Sequence, residues 1–411
     1  MPDKPGKPIQ PVATAAPGEG LELWSPAARG GADLAFALYA QLRSKPGNVV
    51  FSPYGIEEAL TMAYVGARGD TERELGALLG FGLAQSDVPG AAAGLRKAIG
   101  GGKALMCANA AWVDVGATLL PDYVQVLSSS FEAGLQTVDF TDKHAAAEAI
   151  NKWTADKTKG KIDRVIEAGE IPDAMLLALT NAVYFHQDWL SKFSERATDT
   201  GPFTLLSGDR TSVMMMHKLA EMQYAEGPGW QAVLLPYEGR AFSMLIMLPG
   251  KDQLREFESS LDRTRLAEVL NALAPETVAL TMPRWRSRFR ADLRPALRVL
   301  GVRAAFEPTA DFGGIALADT LYIALVNHAA TIEVDEDGTE AAAATAIVMP
   351  ECRAPEGQSQ WKVFTADRPF IYAIRHNATG EIVFLGRVAD PQEQGLAKGA
   401  TPSVESGPGL R

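Results

Sequence analysis

From Ala32 to Arg43 leucines recur every fourth residue, at Leu34, Leu38 and Leu42, a spacing that predicts a helix with one buried stripe. Ser52-Pro53 opens a second helix, with Ile56, Leu60 and Tyr64 on one face. Thr71-x-x-Glu74 reads as a capping box before Leu75, Leu78 and Leu79, and Gly80 ends that helix. The N-terminal part is therefore mainly helical. The pattern then changes. Ala104–Val115 reads as a strand, and Lys143–Lys159 as a helix with Ile150 and Trp153 inward, stopped by Gly160. Met175–Phe185 is almost continuously apolar, as a strand buried on both faces would be. Strands follow at Val213–Tyr224, Trp230–Leu235, Phe242–Leu248 and Val278–Trp285. Leu254–Leu273 reads as one helix and Leu293–Leu300 as a short one closed by Gly301. Leu321–Val334 and Phe370–His376 complete the strand-like stretches. Helices and strands interleave without a βαβ beat, which places the chain in the α+β class.

One stretch departs from these patterns. Glu333–Arg353 starts acidic at Asp335, Glu336 and Asp337, turns at Asp337-Gly338, and continues as a run of very small side chains from Ala341 to Ala346. As a surface helix it could be capped by Thr339, and alanine favours helix. Yet it has no apolar stripe by which to dock. With period two, Thr339, Ala341, Ala343, Thr345, Ile347 and Met349 share one face, small and then apolar. Glu340, Ala342, Ala344, Ala346 and Val348 share the other. The residues fit a local helix and a conditionally formed strand about equally.

Composition narrows the function. The chain has 411 residues, 47% of them hydrophobic and 22% charged, enough for a sizeable core. A formal charge of −11 argues against nucleic acid, and no apolar run reaches the roughly 18 residues of a membrane span. Two cysteines, Cys107 and Cys352, cannot make a disulfide framework, and Cys107 reads as a core thiol. Residues 1–24 and 392–411 read as disordered tails around a domain at 25–391. The first tail lacks the apolar core of a secretory signal, which points to the cytoplasm.

Catalytic motifs are missing. The five histidines form no HExxH pair, and there is no CxxC or GxSxG. Gly100-Gly101-Gly102-Lys103 is followed by Ala104 where a nucleotide-binding loop needs Ser or Thr, so it reads as a turn. Cys352 could act as a nucleophile with a histidine, but its loop lacks the rigid support that catalysis needs. Asn377-Ala378-Thr379 fits a glycosylation acceptor and, better, a hairpin turn. No catalytic residue, metal site or cofactor is expected.

Glu-Val-Asp-Glu-Asp-Gly-Thr-Glu-Ala-Ala-Ala-Ala-Thr-Ala resembles the reactive-centre-loop hinge of serpins, the serine protease inhibitor superfamily. Asn48–Pro53, Leu179–Phe185 with Trp189, and Phe370 with Arg375–Asn377 and Phe384–Val388 resemble further segments of that family, in the right order from about Leu34 to Pro391. The resemblance implies three β-sheets with a large central mixed sheet, about eight to nine helices, and an exposed loop at about 335–361. It implies an inhibitory hinge at Glu336, Gly338, Thr339, Glu340, Ala341, Ala342, Ala343 and Ala344. It places the reactive bond at Cys352–Arg353, with Arg353–Ala354 as the alternative. His328 would bridge two central strands to Asn181, with Ser52 nearby, and Trp189 would sit where the loop enters the sheet. Gly55 departs from the family, which often has a second serine there. The implied partner is a serine protease, held by a monomer as a covalent 1:1 complex and often in the extracellular space. A cysteine-protease inhibitor and a non-inhibitory binding or chaperone serpin are the alternatives.

Overall fold

The computed structural model describes residues 26–44, 46–100, 104–131, 134–173, 175–317, 321–339 and 361–393. The calls on residues 1–24, on Glu340 to Gln360 and on the tail beyond Glu393 lie outside them. The chain begins with α1 (Pro26–Leu42), β1 (Val49–Phe51), α2 (Pro53–Gly66), α3 (Gly69–Leu79) and α4 (Val88–Ile99). Then come β2 (Leu105–Asp114), β3 (Thr118–Leu119), α5 (Pro121–Ser130), β4 (Gly134–Val138), α6 (Lys143–Lys157), β5 (Leu177–Phe185) and β6 (Gln187–Asp188). An antiparallel run follows, β7 (Asp199–Thr204), β8 (Arg210–Gly227), β9 (Trp230–Pro236) and β10 (Phe242–Pro249), then α7 (Leu254–Ser259) and α8 (Arg263–Ala272). The remainder is β11 (Ala274–Pro283), β12 (Trp285–Asp292), α9 (Arg294–Val299), β13 (Ala316–Leu317), β14 (Ile323–Val334), β15 (Gly338–Thr339), β16 (Lys362–Thr365), β17 (Phe370–His376) and β18 (Ile382–Val388).

The described residues form three sheets, as expected. A nine-stranded sheet runs β1-β18-β17-β10-β9-β8-β11-β16, with β7 also on β8. A seven-stranded mixed sheet runs β4-β2-β5-β14-β15-β6, with β12 also on β14. β13 and β3 form the third. In the mixed sheet β5 and β14 pair in parallel, from Ile323 opposite Leu177 to Thr331 opposite Tyr184. β5 is buried at every position. Leu177, Leu179, Val183 and Phe185 enter the main core, whereas Ala178, Ala182 and Tyr184 enter a second core with Ile150 of α6. That two-sided burial is why the run is apolar at both parities.

The structure corrects several sequence expectations. Thr71 is not a helix cap, because α3 starts two residues earlier, at Gly69. Its hydroxyl instead accepts from Asp311 N, and Glu74 accepts from the N–H groups of Arg303 and Ala304. The helix expected over Leu254–Leu273 breaks after Ser259, and Asp262 caps a second one through Arg265 N. The strand expected to run to Trp285 ends at Pro283; Trp285 begins β12 in the other sheet. Trp153 is only half-buried. Gln392 and Glu393, assigned to a tail, are tied in: Glu393 accepts from Asn48 N, and Gln392 donates to Ser212 O. Asn377–Thr379 does form the β17–β18 turn, with Asn377 donating to Ser243 Oγ.

Two carboxyls meet where α1, α2 and that turn join. Glu57 Oε2 and both oxygens of Glu381 are buried without a hydrogen-bond donor. A Cβ at Gly31 would lie 2.4 Å from Glu57 Oε2 and 2.8 Å from Glu381 Oε1, so any side chain there would displace the carboxyls. Burial, then Glu381 and Glu58, push Glu57 well above the carboxylate range. Burial pushes Glu381 up to about 8, opposed by Arg375. The folded state therefore holds protons that the unfolded chain releases. This stabilisation is complete below the ordinary value of 4.5 and is lost as pH rises through about 8. Denaturant melts across that window should show unfolding free energy falling with pH by up to about 1.4 kcal/mol per unit per shared proton. Glu381→Gln should flatten the decline.

Candidate functional site

β14 leaves the mixed sheet through a tight turn and re-enters it as β15. Asp335 Oδ1 closes the turn by accepting from the N–H groups of Asp337 at 3.0 Å and Gly338 at 3.1 Å. Each acidic residue of the run has its own anchor. Glu336 is buried and accepts from Arg284 Nε at 2.7 Å and from the Thr198 hydroxyl. Asp337 accepts from Lys192 Nζ at 2.9 Å, and Lys192 also meets Asp188 at 2.9 Å. The hydrogen bonds to Asp337 and Asp188 raise the Lys192 ammonium to about 12.

β15 occupies the mouth of the sheet. Thr339 lies opposite Val334 on one side and Gln187 on the other, and Gly338 lies opposite Asp188. A Cβ at Gly338 would sit 2.3 Å from Gln187 O, so the close approach of backbones excludes any other residue. Thr339 is fully buried, and its hydroxyl is 2.7 Å from Tyr237 Oη. Thr339 is thus a strand residue with its hydroxyl engaged, not a helix cap. Its side chain faces the main core, the same side as Val334, Ile332 and Ala330. Trp189 closes this end. Its Nε1 donates to Asp335 O at 3.0 Å, its backbone N to Asp337 O at 2.8 Å, and its ring stacks on Tyr237 at 4.5 Å.

A second cluster lies farther along the same seam. His328 Nδ1 is 2.5 Å from Asn181 Oδ1, directly across from it in the β14–β5 register. Ser52 N donates to His328 Nε2 at 3.2 Å. The Ser52 hydroxyl is not part of this contact, because it caps α2 by accepting from Gly55 N. Burial pushes the His328 ring down to about 3, so it is neutral at physiological pH. Ring, amide and backbone therefore clasp β5, β14 and α2 without any net charge.

The structure thus gathers Glu336, Gly338, Thr339 and Trp189 at the mouth, and Ser52, Asn181 and His328 at the clasp. Glu340, Ala341, Ala342, Ala343, Ala344, Cys352, Arg353 and Ala354 lie outside the described residues. Tyr237, Arg284 and Lys192 were not foreseen, since each reaches its partner across 52 to 145 positions of sequence. Only Pro283-Arg284, a charge at a proline-marked strand end, hints at one of them. Cys107 is a partly buried strand thiol, pushed well above its usual range by burial and by Glu58, and so unreactive.

Known proteins resemble this chain in sequence and in fold. A family model described as "Serpin (serine protease inhibitor)" matches residues 29–391. An uncharacterized serpin-like protein of Thermococcus kodakarensis is 36% identical over 87% of this chain and 84% of its own length. A leukocyte elastase inhibitor of Sus scrofa is 35% identical over 84% of this chain and 93% of its own. The crystal structure of native protease nexin-1 with heparin superposes with a TM-score of 0.81 at 27% identity, covering 90% of this chain and all of that one.

Tyr237→Phe removes the partner of a fully buried hydroxyl. It should lower the unfolding free energy by about 1–3 kcal/mol in chemical denaturation.

Proposed function

The chain belongs to the serpin family, and from that premise we propose that it inhibits a serine protease as a suicide substrate. The protease serine attacks the carbonyl of Cys352, an acyl ester forms, and Arg353 leaves as a new N-terminus. The freed segment from Thr339 onward then enters the mixed sheet between β14 and β5 and carries the acylated protease with it. Distortion of the protease active site before water can deacylate it leaves a covalent 1:1 complex.

The observation that carries this reading is β15. Its two residues already stand where such a strand would begin, antiparallel to β14 and to β6. Carrying that register forward would put Ala341 between Ile332 and Phe185, Ala343 between Ala330 and Val183, and Thr345 between His328 and Asn181. These inward positions meet the fully packed main core, which accounts for their small size. Insertion would replace one parallel ladder with two antiparallel ones, the slightly stronger pairing. Thr339 to Cys352 would span roughly 45 Å as a strand. Cys352 would offer the protease a small side chain of the kind an elastase-like pocket accepts, in keeping with the name of the pig relative.

A panel of serine proteases read on denaturing gels should give a stable complex band with an elastase- or subtilisin-type enzyme. Its absence across the panel, with cysteine proteases included, would favour a binding or chaperone role. Ala343→Arg, at a position that would enter the sheet only after cleavage, should convert complex into cleaved product, because burying an unpaired guanidinium costs roughly 3 kcal/mol or more and stalls entry. In the denatured complex, mass spectrometry should find a C-terminal peptide beginning at Arg353. A start at Ala354 would move the specificity to trypsin-like enzymes.

A further inference from the structure

Four lysines among the described residues are half-buried. Three of them meet a carboxylate: Lys143 on Asp173, Lys192 on Asp188 and Asp337, and Lys362 on Glu226. The fourth, Lys218 of β8, meets none among the described residues. Its Nζ donates to the Ser191 carbonyl and lies 4.9 Å from the centre of the Phe193 ring. The charged groups around it are turned elsewhere. His217 and Glu221 lie on the opposite face of the strand, where His217 meets Asp199 and Thr281. Leu280 stands across from Lys218 on β11. The exposed Glu195 and Arg196, in the turn that follows Phe193, form no ion pair with it. Stripping water from an amine with nothing to balance its charge favours the neutral form. Burial pushes the Lys218 ammonium from the ordinary 10.5 down to about 8. Near neutral pH about one molecule in ten then carries the free, nucleophilic amine.

The same lack of counter-charge selects the reaction. A carbamate formed with carbon dioxide would place an anion here, and a protonated imine formed with an aldehyde would place a cation. Neither would find a partner to offset its desolvation. Acyl transfer leaves a neutral amide. We propose that Lys218 is an acylation site whose donor is a small acyl phosphate. The lone pair on Nζ attacks the acyl carbonyl carbon, and the bond from that carbon to the phosphate oxygen breaks. Phosphate departs with the electron pair and takes up the proton that the nitrogen sheds. The products are an amide on Nζ and inorganic phosphate, and nothing is oxidised or reduced.

The place of the modification gives it a consequence. Phe193 N donates to Glu336 O at 2.8 Å, and Trp189 N donates to Asp337 O at 2.8 Å. The two rings meet edge-on at 6.4 Å. The segment from Trp189 to Phe193 is thus a wall of the mouth, fastened to the acidic turn on one side and to Lys218 on the other. Acylation removes the cation from the face of Phe193 and leaves one N–H of three on the nitrogen. The added acyl group must also be seated against Phe193 and Ser191, which pushes this wall away from β8. Acylation therefore loosens the two backbone hydrogen bonds to the acidic turn. Neither the site nor this local effect depends on loop insertion.

The test uses the full chain and acetyl phosphate. Intact protein is treated at a series of pH values and digested, and mass spectrometry reads the acetylated fraction of each lysine. A less basic amine is more often free but also a weaker nucleophile, so Lys218 should react about 10-fold faster at neutral pH than the exposed Lys97, Lys152 and Lys251. Its rate should level off above about 8. Equal rates would overturn the assignment, and so would a Lys218 rate that keeps climbing through about pH 10 as an ordinary lysine's does. Hydrogen exchange then reads the local effect. The Trp189 and Phe193 amides should exchange about 5- to 10-fold faster in acetylated protein, the effect of weakening one hydrogen bond. Lys218→Arg keeps the charge and offers no amine to acylate, so the same treatment should leave both amides at their untreated rates. Unchanged exchange in the acetylated parent would refute the loosening, and faster exchange in treated Lys218→Arg would trace it to a different lysine.

Discussion

The parallel seam between β5 and β14 is the contact on which the rest of the molecule depends. Both strands are buried almost throughout, each faces two cores, and no turn or loop joins them directly. What holds them is a ladder of the slightly weaker parallel kind and one uncharged side-chain clasp at its middle. A seam of this sort can part without exposing an ionised group. The acidic turn just above it is different. Glu336 and Asp337 are fastened by Arg284, Thr198 and Lys192, so charged ties close this end of the sheet.

How much of this the sequence showed varied with the physics behind each feature. The two-sided burial of β5 was legible because apolar side chains at both parities have few other uses. The helices of the N-terminal part were legible from spacing. The capping reading at Thr71 failed because the same hydroxyl and carboxylate serve backbone donors 229 to 240 residues away, which local pattern cannot see. The break between α7 and α8 had a signal, the Asp262 cap, that the apolar periodicity on either side concealed.

The stretch from Glu333 onward was legible only as a motif. Its run of small side chains fitted helix and strand alike. Only at Gly338 and Thr339 is the matter decided, by the register against Val334, Gln187 and Asp188, which makes these two residues a strand. The partners that hold it, Tyr237, Arg284 and Lys192, come from three other segments of the chain. Ser52 is a further lesson: the residue was in the right place, but its backbone and not its hydroxyl makes the contact with the ring.

The position of the last strands has its own consequence. β17 and β18 are buried between β10 and β1 in the nine-stranded sheet, and β16 lies beside β11. All three follow the loop in sequence. Severing the backbone anywhere between Thr339 and Trp361 would thus leave two polypeptides interlocked as one body. The shorter piece would become a subunit held by burial and by its strand ladders to β1, β10 and β11, and a sieving column would register no change in size.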